Sequence, residues 1–290
     1  IPPTLCGEGA VLGEGKGARF RRDHRPPGEA GIGKEELVRL MARAGAERRT
    51  TRAGGLWLDC TGIGEDTLKG YPWLERFMSA HHIDLSRQMV EVWPCAHTSL
   101  GGVFVDSERA ALGVRGRLAG GSGTDVIASG YLAGRSAAAR AAAGREVSET
   151  ALRRAAARAV ELGGATEDDR STTPRGLARE AARHLDEAAG ITRTGDRLAA
   201  ADKAVTGMKR QHSTRAAVLP PASARLRLLD RLLVTQAILR AARLRRESRG
   251  AHLRADHPET DPDRETPIAI ALSEDAGTLQ HWWWEVSKPC

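Results

Sequence analysis

The residues able to do chemistry are concentrated between Trp93 and Gly134. His97 stands just before the pair Gly101-Gly102, and a short β-type run, Val103 to Asp106, follows it. A loop then carries Arg115 and Arg117, and Ala119-Gly120-Gly121-Ser122 leads into a stretch with Gly130, Ala133 and Gly134. Histidine offers a base or a hydrogen-bond donor near neutral pH. A guanidinium grips a carboxylate with two parallel hydrogen bonds. Glycines let a backbone approach a ligand closely, and a helix N-terminus presents unpaired N–H groups to anions. The set suits an anionic substrate beside a planar or phosphorylated cofactor. Taken alone, a histidine among glycines is more often structural than catalytic, and an arginine in a glycine-rich loop is more often a solvated charge.

Several elements must position these groups. Apolar residues at Leu37, Leu40, Met41 and Ala44 predict a helix over Glu35 to Arg48. Gly54-Gly55 precede a short strand, Leu56 to Asp59, and Gly64 to Ala80 reads as one helix with Leu68, Trp73, Leu74 and Phe77 available for packing. His81-His82 close that helix. Adjacent histidines point in different directions, so they read as C-terminal caps and not as a metal pair. Further helices are expected over 145–163, Leu177 to Ala189, Leu198 to Met208 and Leu226 to Arg246, the last the longest, with Leu229, Leu232, Leu233, Ala237 and Leu244 on one side. Pro220-Pro221 break the chain before it. In the tail, Ile268 to Leu272 reads as a possible strand, and Trp282-Trp283-Trp284 cannot all share one face.

Composition sets the bounds. The 290 residues suffice for one sizeable core or two modest ones. A net charge of +7 fits a nucleic-acid partner, an anionic small substrate, or a coding bias towards arginine and alanine. A nucleic-acid role is disfavoured because acidic residues are interspersed and aromatics are only 4%. No stretch is apolar for the length a membrane span needs. The four cysteines, Cys6, Cys60, Cys95 and Cys290, form no Cys-x-x-Cys pair, which argues against zinc, an iron–sulfur cluster or a disulfide framework and suits a reducing compartment. The start lacks the regions of a signal peptide and an initiator methionine, so the chain is expected to be a fragment or a processed piece.

The order of residues resembles the flavoprotein subunit of fumarate reductase and succinate dehydrogenase, with L-aspartate oxidase as a sister. That family carries His-x-x-x-Gly-Gly, Gly-Glu, His-Gly-Ala-Asn-Arg-Leu, Gly-Asn-Ser and a helix with Gly-x-x-Ala-Gly. The matches are His97 with Gly101-Gly102, Ser107-Glu108, Arg115-Gly116 with Arg117-Leu118, Gly121-Ser122, and Gly130 with Ala133-Gly134. Near the start, Gly13-Glu14-Gly15 and Gly17 with Arg19-Phe20 are similar to the family's Arg-Gly-Glu-Gly segment and the hairpin after it. Gly190 to Thr194 resembles Gly-x-x-Arg-Thr, and Arg246 to Arg254 resembles Arg-x-Glu-Ser-Arg-Gly-x-His.

The resemblance implies an α+β, mostly helical fold: a capping-domain segment over 1–92, a returning flavin-binding segment with part of a sheet over 93–144, a helical domain over 145–254 and a tail over 255–290. It implies FAD as cofactor and hydride transfer between flavin and a C4 dicarboxylate, fumarate or succinate, or aspartate in the sister enzyme. His97 and Arg117 would be catalytic. Arg115, Gly13 and Glu14 would join them in binding substrate, and Gly101, Gly102, Glu108, Gly121 and Ser122 would hold the cofactor, Glu108 at a ribose hydroxyl. His97 and Arg117 are expected to face one cleft. An iron–sulfur subunit is the implied partner, in the cytoplasm or at the inner face of the membrane through that partner. Arg249 and His252 have a weaker claim, balanced against salt-bridged packing.

Three departures from the family pattern bear on activity. Leu12 stands where the family has its proton-carrying arginine, a strand between Val-Asp and Gly-Glu is missing after Asp106, and two residues are missing between Gly116 and Arg117. No Gly-x-Gly-x-x-Gly fingerprint opens the chain. A truncated, catalytically impaired relative acting as a binding subunit is therefore the alternative. On the enzymatic reading, Leu12→Arg is expected to raise the rate.

Overall fold

The computed structural model describes residues 3–17, 33–96, 122–142, 148–150, 152–154, 156–157, 174–214, 222–273 and 279–283. The chain is α+β and mostly helical. It divides into two compact units.

The first unit joins residues 1–96 to two distant segments, Gly190–Thr194 and Arg246–Thr260. Its elements are α1 (Pro3–Gly7), β1 (Val11–Gly13), α2 (Lys34–Ala46), β2 (Leu56–Asp59), α3 (Glu65–Lys69), α4 (Pro72–His81) and β3 (Val90–Val92). The three strands form an antiparallel sheet in the order β1-β2-β3, with Leu12 opposite Leu58 and Trp57 opposite Glu91. Strand alternation sends Leu12, Leu56 and Leu58 to one face. There they meet Met41 and Ala44 of α2 and Leu74 of α4 in a single apolar core. The expected helix over Gly64 to Ala80 is two helices. Pro72 lacks a backbone N–H and suits only a first turn, so the chain ends α3 at Lys69 and restarts at Pro72. Trp73 and Phe77, expected to pack, are 43% and 46% exposed, while Leu68 and Leu74 fill the core. His81 does end α4 and lies against Phe77 with the rings tilted by 47°, and His82 takes the left-handed cap.

The second unit contains α5 (Ser122–Ala142), α6 (Pro174–Ala189), α7 (Gly195–Thr214) and α8 (Ala222–Leu244). Helices α6, α7 and α8 share a core of Leu177, Ala181, Leu198, Val205, Leu232 and Leu239. The buried face of α8 is Leu228, Leu232, Thr235, Gln236, Leu239 and Ala242, one residue round from the expected stripe, with Leu229 and Leu233 at its margin. Two polar residues disguised it in the sequence. Gln236 is buried because its amide donates to Thr206 Oγ1 at 2.6 Å. Asp202 binds Arg240 at 3.2 Å on the same pair of helices.

The tail forms a hairpin, β6 (Ile268–Leu272) with β7 (Leu279–Trp283), so the possible strand is one. Trp283 lies between two guanidinium groups, Arg245 at 5.4 Å and Arg264 at 5.6 Å from the ring centre. Two further short strands, β4 (Thr192–Arg193) and β5 (Leu253–Arg254), pair in parallel within the first unit. No described helix is long and apolar enough to cross a membrane.

Candidate functional site

His97, Gly101, Gly102, Glu108, Arg115, Arg117 and Gly121 lie outside the described residues. Ser122 opens α5, so a helix does begin where the glycine run ends. Gly13 and Glu14 can be placed, and so can both outlying motifs.

Gly13 is the last residue of β1, paired with Trp57, and Glu14 follows it. The Glu14 carboxylate is engaged by Arg49 Nη1, and Arg49 Nε also donates to Glu47 at 2.7 Å. These bonds hold the Arg49 guanidinium firmly protonated, Glu47 contributing most. Hydrogen bonds from Arg43 and then Arg49 lower the pKa of Glu47 in turn. Gly15 is required for this approach: its N–H donates to Arg49 O at 3.1 Å, and a Cβ there would overlap the Thr50 carbonyl. A carboxylate facing a dicarboxylate substrate would repel it. Arg49 offsets that charge, and nothing in the sequence spacing of 35 residues announced it.

Leu12 looks the other way. It is 3% exposed and lies in the core of the first unit. A proton carrier must reach its substrate, and this position reaches Leu58 and its neighbours instead. An arginine at this position would meet the packed core and not a substrate, against the expectation that it would raise the rate.

The outlying motifs come together. Thr192 pairs with Leu253 and Arg193 with Arg254, and the Ala255 N–H donates to Arg193 O at 2.9 Å. Glu247, Ser248, Arg249, Gly250 and His252 each have a task in this loop. Glu247, fully buried, accepts from Arg249 Nε at 3.1 and 3.2 Å. The Ser248 hydroxyl accepts from the Arg254 N–H at 2.9 Å and donates to His257 O at 2.9 Å. Gly250 adopts a left-handed φ of 58°, which closes the turn and lets Arg249 and His252 exchange backbone hydrogen bonds at 2.9 Å. Arg254 is 3% exposed and holds Asp256 with two bonds of 2.8 Å. Arg193 Nη1 lies 2.5 Å from His252 Nδ1. Burial, and then the charge of Arg254, lowers the Arg193 pKa. From α2, Arg39 Nη2 donates to Gly250 O at 3.1 Å. This is the salt-bridged packing that competed with a substrate role for Arg249 and His252. Arg39 and Arg193 carried no sequence signal of their own as partners. Among the described residues no cluster of His, Cys, Asp or Glu is arranged to hold a metal ion.

Residues 178–287 match the family model described as fumarate reductase flavoprotein C-term. The L-aspartate oxidase of Mycobacterium tuberculosis is 29% identical over 294 residues, covering 96% of this chain and 51% of that protein. The chain is similar to L-aspartate oxidase and fumarate reductase flavoproteins. A CoM/CoB fumarate reductase chain of Methanothermobacter marburgensis is 27% identical over 301 residues, covering 93% of this chain and 52% of that protein. In structure, an E. coli quinol fumarate reductase superposes with a TM-score of 0.80 at 21% identity, over 100% of this chain and 57% of that one, which establishes the fold. The chain thus spans about half the length of the curated relatives it matches. Members of this flavoprotein family bind FAD.

Proposed function

We propose that this chain is the substrate-covering and helical part of an FAD-dependent oxidoreductase of the fumarate reductase and succinate dehydrogenase type, acting on a C4 dicarboxylate. The observation that carries the proposal is similarity along nearly the whole chain to flavoproteins of that family. The FAD supplies the hydride acceptor or donor when bound. The residues suited to hold it are Gly101, Gly102, Glu108, Gly121 and Ser122; the last begins α5, and a helix N-terminus suits a phosphate oxygen. Arg117 and Arg115 would orient the substrate carboxylates, and His97 would hold one of them and polarise the reacting bond. Gly13 and the Glu14–Arg49 pair would border the substrate, the pair adding little net charge.

Oxidation of L-aspartate is the second reading, and the many L-aspartate oxidases among the similar proteins favour it. A third, binding without turnover, draws on Leu12, which stands where the family has its proton-carrying arginine. General acid catalysis is typically worth about 10²–10⁴-fold, so its loss leaves binding intact and turnover slow. An iron–sulfur partner, and a cytoplasmic site with peripheral attachment through it, belong to the same proposal; nucleic acid does not.

The test is FAD titration of the purified chain, followed by two assays on the loaded protein. Fumarate-dependent oxidation of a reduced dye supports the first reading, and aspartate-dependent peroxide release supports the second. Saturable fumarate or aspartate binding with neither activity supports the third. Weak FAD binding is expected of this chain alone, because the sequence holds no Gly-x-Gly-x-x-Gly dinucleotide-binding fingerprint; failure to bind fumarate or aspartate even in excess FAD would refute all three readings.

A further inference from the structure

The loop built by Gly190–Thr194 and Arg246–Thr260 carries an arrangement that the proposed redox chemistry does not use. Arginine can only donate. The 2.5 Å approach of Arg193 Nη1 to His252 Nδ1 therefore makes Nδ1 the acceptor and puts the proton of the neutral imidazole on Nε2. An imidazolium carries a proton on both nitrogens and cannot accept, so protonation of His252 ends this contact. It also sets a second cation against a guanidinium that is already largely removed from water and faces Arg254.

We propose that His252 makes this loop a pH-sensitive latch: neutral, it accepts from Arg193 and keeps β4 against β5; protonated, it is repelled and the pairing opens. The charged groups around it are Arg193 on β4, Arg254 on β5, Glu247 and Arg249 before the turn, Asp256 and His257 after it, and Arg39 reaching in from α2. The carboxylate of Glu247 is bound by Arg249 and that of Asp256 by Arg254. Opening would release the Ala255 N–H from Arg193 O and the Gly250 carbonyl from Arg39. In this way a proton taken up by the loop would loosen its tie to α2.

The sign follows from proton counting. The open loop binds a proton that the closed loop refuses, so closure is favoured as pH rises. It is complete above the ordinary histidine value of about 6.5 and weakens as pH falls below it. At pH about 5.5, the open-to-closed ratio gains about tenfold if the closed form excludes the proton altogether.

The experiment is hydrogen exchange of the full chain between pH 7.5 and pH 5.5, corrected for intrinsic rates, with the amides of Arg249, His252 and Ala255 as reporters. Protection at those amides should fall about tenfold in the unaltered chain. His252→Gln keeps an acceptor that never charges, and should hold protection constant, while His257→Gln should not. Nitrogen chemical shifts of the unaltered protein supply a second measurement that needs no variant: Nδ1 should be unprotonated at pH 7.5. A proton on Nδ1, protection unchanged with pH, or the same loss in His252→Gln, would overturn the latch.

Discussion

Leu12 and Leu58 face each other across β1 and β2, and they are 3% and 1% exposed. A guanidinium at position 12 would enter this apolar core. Leu12→Arg should therefore destabilise the chain by about 3 kcal/mol or more, from lost packing and a buried charge together. Urea unfolding measures this directly. A variant as stable as the original, with faster fumarate reduction, would show that the side chain leaves the core and reaches substrate.

Gly15 offers a second test on the same strand's exit. A methyl group there meets the Thr50 carbonyl and its neighbours at the point where Arg49 engages Glu14. Backbone cannot yield as a flexible side chain can. Gly15→Ala should cost about 1–3 kcal/mol and lower the melting temperature. Gly130, in the middle of α5, is the control: a Cβ there meets nothing within 4 Å. Gly130→Ala should be neutral or stabilise the helix by up to about 1 kcal/mol. If Gly130→Ala instead weakens FAD binding at unchanged stability, the small residues of α5 are needed for close approach to the flavin-binding part.

These two positions also show how far the sequence could be read. Helix α2 was legible because Leu37, Leu40, Met41 and Ala44 recur on one face, and β2 because Leu56 and Leu58 alternate. The register of α8 was misread because Thr235 and Gln236 sit in its buried face, and only the partner Thr206 explains Gln236 there. The break at Gly70-Tyr71 was signalled by Pro72, but the flanking leucines made one helix plausible. The pairing of β4 with β5 could not be read at all. Two-residue strands have no periodicity, and their partners lie 61 residues apart. The two motifs themselves were legible through the family resemblance; that one folds onto the other was not. Of the candidate site, Gly13 and Glu14 adjoin at the end of β1, while the cation that engages Glu14 comes from the turn after α2, where an arginine next to Arg48 looked like ordinary surface.

Glu247 tests the reading of the Arg246 to Arg254 motif as packing. Its carboxylate is fully buried and binds Arg249, itself partly exposed. Removing one partner of such a pair breaks both of its bonds, which costs about 3–5 kcal/mol for a fully buried pair. Arg249 can turn towards water, so Glu247→Gln should fall at the lower end, about 3 kcal/mol. Replacing both residues should cost less than the sum of the single changes. Thermal or urea unfolding of the four proteins gives the coupling. If Arg249→Gln leaves stability unchanged but abolishes dicarboxylate binding, the motif serves substrate instead.

The cysteines give the last test, through reactivity and pH together. Cys60 is fully buried at the end of β2, and burial, with Asp59 and Cys6 nearby, raises its pKa to about 11. Only a thiolate attacks an alkylating reagent, so native Cys60 should be inert at pH 8. Cys95, exposed, should react within minutes, and mass spectrometry of the peptides separates the two. The same shift has a stability consequence. The folded chain keeps the Cys60 proton where the unfolded chain has lost it, so the contribution is complete below pH 9.0 and disappears as pH rises towards 11. Cys60→Ala should flatten stability between those limits while lowering it at neutral pH, because the cavity remains. Rapid labelling of native Cys60 at pH 8 would mean that β2 opens locally, and would place the first unit's core among the least stable parts of the chain.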